Sequence, residues 1–546
     1  MSVVEQRTMK GHEAVARALL DHGVDPIFGV LGNANIFVLD TFRKLGGRYV
    51  PAGNEGGAVL MGLAYGRCAG KVGVATVTHG PGLCNSITAL VEGVKSRVPF
   101  VLLCGDTAHT NRESTQNIAQ RELVLSIGAG FEEAISPETL LGDIARAFRR
   151  AELEKRPIAL NFPTDFQWAD IEYRPTKLLN FERRALVPAS DDLDNAAGMI
   201  AAASKPIIVA GRGAATERGK AALIKLAGRI GALLATTVQA RELFEGEPFN
   251  LGVFGTLSTP AAVDEIVASD CVLFFGCSMN SYTTSRGAFI EGKRVIQCDN
   301  DPAAICRFVE PDAGLLGEVD LVAEALIGLL DMAEIPPSGY LDPALPARLA
   351  SSHLELPDTS TETTVDFYKA LTAIGDALPR DRVLVNDCGR FVVEGLKVFR
   401  VKNPQLYYFG IMSGCIGLGL ASAVGASFAA PDLPTLLVTG DGGFMNNGLL
   451  EFNTAVRMGV DLVCVVCNDS AYGMEVAEFT VRDLPHDIAL MNWPDFAPLA
   501  EALGGQGVTV RNEDDLEKAI EAIQNRKGPL LIDLKIDTLT MPNPFH

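Results

Sequence analysis

No run of about 18 apolar residues occurs in the 546-residue chain, so a membrane-spanning helix is not expected. The N-terminal MSVVEQRTMKGHEAVARALL lacks the basic-then-apolar order of a secretory leader, and the expected location is the cytoplasm. Positive charge is scarce: 47 Lys and Arg stand against 67 Asp and Glu, a net charge of −20. Nucleic acid and anionic membrane surfaces are therefore not expected partners. The acidic excess is spread along the chain and reads as a solvated surface. Eleven cysteines show no paired framework, which suits a reducing compartment. One spacing, Cys464-Val-Val-Cys467, lies in the buried-strand run DLVCVVC, where positions three apart face opposite sides; neither a disulfide nor a shared metal is expected there. Short repeats and low-complexity segments are absent too.

What is present is an alternation of short apolar runs with helical patterns, the mark of parallel α/β units. Length alone calls for two to four domains. In the first third, strands are expected at 72–80 and 99–106, joined by a helix opening at Pro81-Gly82 with Leu83, Ile87, Leu90, Val91 and Val94 on its apolar side. A linker is expected at 174–192 and a second, Pro- and Ser-rich, at 333–362. Strands are expected at 205–213, 271–278 and 293–301 between them, and at 382–389, 435–443, 461–469 and 529–537 after them. The fold class is α/β, with three Rossmann-like, doubly wound parallel-sheet domains at 1–178, 190–332 and 360–546.

The most informative segment follows the strand ending at Thr439. Gly440-Asp441-Gly442-Gly443 opens a helix with Leu449, Phe452 and Val456 on one face and Gly459 past its end. Glycines there let backbone N–H groups approach an anion at a helix start. Asp441 offers a carboxylate at the C-terminal edge of a sheet, where open α/β sheets bind ligands. After 25 residues (443–467) the next strand ends in Asn468-Asp469, then Tyr472-Gly473. Two strand ends with oxygen ligands, completed by a diphosphate, suit Mg²⁺.

This segment resembles the thiamine-diphosphate motif of the family containing acetolactate synthase, pyruvate decarboxylase, benzoylformate decarboxylase and benzaldehyde lyase. The match runs over essentially the whole chain and is nearest in feel to acetolactate-synthase-like members. The resemblance implies domains that bind the pyrimidine, serve as a central module and bind the diphosphate. It makes Asp441, Asp469 and the Ala471 carbonyl metal ligands, with Gly389, Gly440, Gly442, Gly443, Tyr472 and Gly473 around the cofactor. The family has Asn-Asn where this chain has Asn468-Asp469, so Asp469 takes the place of the second asparagine. Ile416, in FGIMSGCIGLGLASAVGA, stands where a bulky apolar residue props the cofactor into its bent shape; from the residues alone it is equally core packing.

The cofactor's chemistry also requires a carboxylic acid against its aminopyrimidine ring. In RYVPAGNEGGAVLMGLAYGRCAG, Glu55 lies between a short strand and a helix of small residues. By itself it reads as a solvated helix-start acid; the VGVATVTHGPGLCN that follows matches the family's surroundings of the catalytic glutamate, with Asn54 where His is common. By the same resemblance His79 borders the cofactor and is a candidate proton shuttle, Gln120 matches a substrate-facing glutamine, and Glu475 falls where an acid stands above the thiazolium. Residues alone leave His79 as a structural histidine and Glu475 as an exposed helix residue.

The paired histidines of pyruvate decarboxylases are absent; the corresponding loop is GVLGNANIFVLD, with Asn33 and Asn35. In the middle domain VAGRGAATERG lacks the third glycine of a dinucleotide fingerprint, which leaves FAD, another nucleotide or no ligand there undecided. The expected activity is decarboxylation with carboligation of a small 2-oxo acid or 2-hydroxyketone, by a homodimer at minimum and by the family's pattern a homotetramer. The alternatives are a lyase or hydrolase of a hydroxyketone, diketone or 2-hydroxyacyl-CoA, and a non-catalytic nucleotide-binding subunit, against which an intact Glu55 and Asp441 tell.

Overall fold

The computed structural model describes residues 7–111, 113–175 and 186–542. Most of the first expected linker (174–192) lies outside them. Three six-stranded sheets, each wholly parallel, carry the chain. In the first are β2 (Ile27–Gly29), β3 (Tyr49–Pro51), β4 (Gly73–Val77), β5 (Phe100–Asp106), β6 (Gly130–Glu133) and β7 (Pro157–Pro163). They lie in the order β3-β2-β4-β5-β7-β6, beside a small antiparallel pair of β1 (Arg7–Lys10) and β8 (Asp170–Tyr173).

The middle sheet holds β9 (Pro206–Ala210), β10 (Leu233–Thr236), β11 (Asn250–Val253), β12 (Cys271–Phe275), β13 (Arg294–Asp299) and β14 (Ala313–Leu316), in the order β11-β10-β9-β12-β13-β14. The third holds β15 (Val383–Asn386), β16 (Tyr407–Phe409), β17 (Thr435–Gly440), β18 (Leu462–Asn468), β19 (Gln506–Val510) and β20 (Leu530–Lys535). Its order, β16-β15-β17-β18-β20-β19, repeats that of the first sheet. Central strands such as β18 are buried along their whole length, as strands covered by helices on both faces must be. Cys464 and Cys467 are both free thiols within it, and Cys464 belongs to the core on one face.

Of two compact units, one holds the first and third sheets and the other the middle sheet. The first unit has one continuous core across its two sheets, with Ala58, Met61 and Leu63 beside Leu420, Val424 and Phe444. The reason is local. The helix Glu55–Ala69 has only Glu55 and Arg67 as charged residues, and Gly419–Ser427 has none. A helix that is apolar all round is stable only when covered on every side, and these two cover each other. A Cβ at Gly425 would stand 2.1 Å from the carbonyl oxygen of Met61, so glycine is what permits the approach.

The second expected linker (333–362) is not extended throughout. It contains the helix Leu345–Ser351, and Leu345 is 1% exposed in the core of the middle sheet's unit.

Sheet order also places the clefts. In both sheets of the first unit the chain steps one way from its first strand and then returns to the other side. Ligands of open α/β sheets bind at that reversal, outside the strands' C-terminal ends. In the first sheet it falls between β2 and β4, bringing the Asn33–Asn35 loop beside His79. In the third it falls between β15 and β17, bringing Asp387 beside Thr439 and Gly443. In the middle sheet it falls between β9 and β12. There Gly211 and Gly213 abut Gly276 and Cys277, with a Cβ at Gly211 only 2.2 Å from the Cys277 Cβ. Packing accounts for the glycines of that turn.

Candidate active site

At the third sheet's reversal, β17 hands directly into a helical run that begins at Asp441, passes through one wide turn at Phe444–Gly448 and continues as Leu449–Met458. Asp441 is 3% exposed. Its Oδ1 accepts from Gly442 N at 2.8 Å and its Oδ2 from Ala471 N at 3.2 Å. The second bond crosses from β17 to the end of β18, so the two halves of the motif are joined through this one carboxylate. Burial, and then the charge of Asp469, raise the Asp441 carboxyl above its ordinary range. Asp469 is likewise raised by burial, against the opposing pull of the Thr538 hydroxyl and the Arg390 guanidinium. Two carboxylates at adjacent strand ends, each resisting ionisation, form a niche that a cation would relieve.

Asn468 plays another part. It is 1% exposed; its Nδ2 donates to Asp533 Oδ1 at 2.8 Å and its Oδ1 accepts from Ser470 N at 3.1 Å. Both ends of the amide are thus used inside the protein. Ser470 then takes a φ of +51°, and the chain turns through Ala471 and Tyr472 into the helix Gly473–Val481. A Cβ at Gly473 would fall 2.3 Å from Asp469 Oδ2. Glu475 is exposed in the first turn of that helix.

Around the same reversal, Asp387 follows β15 and is 1% exposed. It accepts from Cys388 N at 2.8 Å, Gly417 N and Leu418 N at 3.1 Å, and Thr439 Oγ1 at 2.7 Å. It therefore fixes the loop that carries Ile416. A Cβ at Gly442 would meet the Tyr472 ring at 2.7 Å and Ile416 Cδ1 at 3.7 Å, so Ile416 and Tyr472 flank the glycine turn. At Gly443 a Cβ would meet Asp387 Oδ2 at 2.8 Å. Gly389 and Gly440 are bounded by the Phe391 ring, at 2.5 and 3.0 Å from their Cβ positions.

In the first sheet, Asn54 caps the helix Glu55–Ala69 by accepting from Gly57 N at 2.7 Å. Glu55 Oε2 accepts from Asn85 Nδ2 at 3.0 Å, and Oε1 lies 3.7 Å from the Cβ position of Gly82. Glu55 is thus held against the His79-Gly80-Pro81-Gly82 turn, although 23 residues (56–78) separate it from His79. His79 is 3% exposed, its Nδ1 has no partner, and burial lowers its pKa against the raising effect of Asp106. Gln120 is turned inward: Oε1 accepts from Gly80 N at 2.8 Å and Nε2 donates to Gly105 O at 3.0 Å. With both ends engaged and 3% exposure, it holds the His79 turn in place.

Two further carboxylates join the sheets of this unit. Glu451, fully buried, accepts from Gly53 N at 3.0 and 3.1 Å and from Asn54 N at 3.2 Å. Glu92, also fully buried, accepts from Met412 N at 3.2 Å and Ser413 N at 2.7 Å. Neither they nor Asp387 are evident as site residues from the sequence. For Glu92 and Glu451 the available signal is an acid on a largely apolar or small-residue stretch of helix, and for Asp387 an acid at a strand end.

The chain matches three family models. Residues 9–126 match the N-terminal TPP binding domain of thiamine pyrophosphate enzymes, 193–326 their central domain, and 387–534 their C-terminal TPP binding domain. The chain belongs to the thiamine-diphosphate-dependent enzymes. It is 29% identical to a probable 2-ketoarginine decarboxylase of Pseudomonas aeruginosa, over 97% of this chain and 94% of the relative. It is 26% identical to the large subunit of acetolactate synthase isozyme 2 of Escherichia coli (97% and 96%) and to a sulfoacetaldehyde acetyltransferase of Roseovarius nubinhibens (95% and 90%).

The residues present fit the family's cofactor. The glycine turn at 440–443 leaves no room for side chains, and the niche beside it offers two carboxylates. Among the described residues no group of three or more His, Cys, Asp and Glu could hold a metal. No helix among the described residues is long and apolar enough to cross a membrane.

Proposed function

We propose that this thiamine-diphosphate enzyme uses Mg²⁺ to hold its cofactor and acts on a small 2-oxo acid, removing CO₂ and joining the remaining carbons to an acceptor. The observation that carries the metal assignment is the Asp441–Asp469 pair, two carboxylates at neighbouring strand ends with burial working against their charge. The 2-oxo acid assignment is supported by relatives named for decarboxylation of a 2-keto acid and for acetolactate synthesis.

In this reading Asp441, Asp469 and the Ala471 carbonyl hold the metal as hard oxygen donors. The N–H groups at the start of the helical run at 441 face the diphosphate. When bound, thiamine diphosphate supplies a carbon nucleophile and an electron sink for the carbon–carbon step. Glu55 hydrogen-bonds the pyrimidine ring and moves its proton. Ile416 packs beneath the cofactor, where its side chain already borders the Gly442 turn. His79, uncharged at neutral pH because burial lowers its pKa, is placed to relay a proton. Glu475, on the exposed first helical turn after the metal loop, faces the incoming substrate. The active species is a homodimer at minimum.

A second reading is favoured by the acetyltransferase relative, whose name implies no decarboxylation: cleavage of a hydroxyketone or related adduct as the first step. Release of CO₂ from a panel of 2-oxo acids, with cofactor and Mg²⁺ and with Glu55→Gln as control, decides between them. Release that vanishes in the control supports the decarboxylating reading and names the donor. Silence from every acid while cofactor binds moves the assignment to the second reading.

A further inference from the structure

Glu92 and Glu451 stand in a reciprocal arrangement. Glu451 rises from the helix Leu449–Met458 of the third sheet and grips the amides of Gly53 and Asn54, immediately before Glu55 in the first. Glu92 rises from the helix Pro81–Ser96 of the first sheet and grips the amides of Met412 and Ser413, three and four residues before Ile416 in the third. Each sheet lends one buried carboxylate to the loop of the other that faces the cofactor.

The surroundings are built for both grips. A Cβ at Gly57 would lie 2.0 Å from Glu451 Oε1, so only glycine there admits the carboxylate. Thr454 and Arg457 add to the interactions of Glu451. Ser96 Oγ donates to Glu92 Oε1 at 3.2 Å. The loop at 410–418 is then held at both ends, by Glu92 from the opposite sheet and by Asp387 from its own. The two helices Glu55–Ala69 and Gly419–Ser427 supply close packing but direct no amide. Loop geometry is left to the carboxylates.

We propose that Glu92 and Glu451 are positioning residues, each setting from the opposite sheet of the same chain the loop that leads into Ile416 or Glu55. The inference rests on the reading above of Glu55 and Ile416 as cofactor contacts. A carboxylate accepting two amides makes charge-assisted bonds. Its amide isostere keeps one acceptor but turns an NH₂ toward the second donor.

The full-length protein carrying Glu92→Gln or Glu451→Gln is titrated with thiamine diphosphate and Mg²⁺ by intrinsic fluorescence. Amide hydrogen exchange is followed in the same proteins without cofactor. Glu92→Gln is expected to speed exchange at 411–416 and leave 52–57 as in the parent, and Glu451→Gln to do the reverse. Each weakens cofactor binding by about tenfold or more, the loss expected for a charged hydrogen bond. Unchanged exchange in the gripped loop with parent-like affinity overturns the proposal. So does exchange that quickens equally in both loops and in the core strands, which marks the two acids as general supports. If the parent itself binds no thiamine diphosphate, the functional reading fails, while loop-selective exchange still decides the grip.

Discussion

Replacing Asp469 and Asn468 by alanine, one at a time, should separate two neighbours that look interchangeable on paper. Asp469→Ala deletes a carboxylate from the metal niche and leaves Asn468 bonded to Asp533 and Ser470. Removing an outer-shell partner of a metal typically weakens affinity about 10- to 100-fold, and a direct charged ligand should exceed that. Cofactor and Mg²⁺ binding are therefore expected to fall by more than about 100-fold. Relief of repulsion on Asp441 should leave the cofactor-free fold as stable as before, or more so. Asn468→Ala does the opposite. It strands an acceptor on Asp533, which is fully buried, and the N–H of Ser470. Leaving buried groups unpaired costs about 1–3 kcal/mol, so the melting temperature should drop while affinity per folded molecule stays within about threefold, about 0.7 kcal/mol. Titration by fluorescence with a parallel thermal melt reads both. Equal affinity losses, or a larger loss for Asn468→Ala, would place the metal on the wrong residue and refute the donor set.

Glu55→Gln should reduce turnover by about 10²- to 10⁴-fold, the range for a lost proton-transfer group, with cofactor affinity changed little; steady-state rates and titration check this. Gly425→Ala drives a Cβ onto the Met61 backbone, which cannot swing aside, whereas Gly442→Ala meets the half-exposed Tyr472 ring. The first is expected to destabilise the cofactor-free protein by about 1–3 kcal/mol and the second by less but with weaker cofactor binding, read by denaturant midpoint and titration. His79 has its pKa lowered by burial, so its native form takes up a proton less readily than the unfolded chain. Its contribution to stability is present above the ordinary value of 6.5 and is lost as pH falls below it. The raised carboxylates Asp387 and Glu451 change stability in the opposite sense. The clean observable is therefore the difference between parent and His79→Gln, which should narrow from pH 7.5 to pH 5.5 (about one unit either side of the ordinary value) in denaturant midpoints. A constant difference would show that His79 ionises freely in the fold.

Much of the site was legible because it is local. An apolar strand, a glycine turn and an acid at the turn are neighbours along the chain, and β17 and β18 are adjacent strands, so Gly440, Asp441 and Asp469 had to converge. Glu55 was singled out by the chemistry expected of such an acid and by the small-residue helix it opens. Gln120 shows where such reading stops. The family resemblance marks its position, but not that both ends of its amide are engaged by the backbone of Gly80 and Gly105. Which way a side chain points depends on partners that the surrounding residues do not announce.

Strand runs, their parallel class, the Asp441–Asp469 spacing and the identity of the acid before the small-residue helix were determined by the sequence alone, since each depends on residues close in the chain. Tertiary structure decided that the first and third sheets share one core, that Asn468 is internal, and that Glu92 and Glu451 reach loops 320 and 397 residues away. The physical reason is that these carboxylates bind backbone amides. Every residue but proline carries the same N–H donor, so nothing in the identity of Gly53, Asn54, Met412 or Ser413 marks them as partners, and only the packing of the helices Glu55–Ala69 and Gly419–Ser427 brings them within reach.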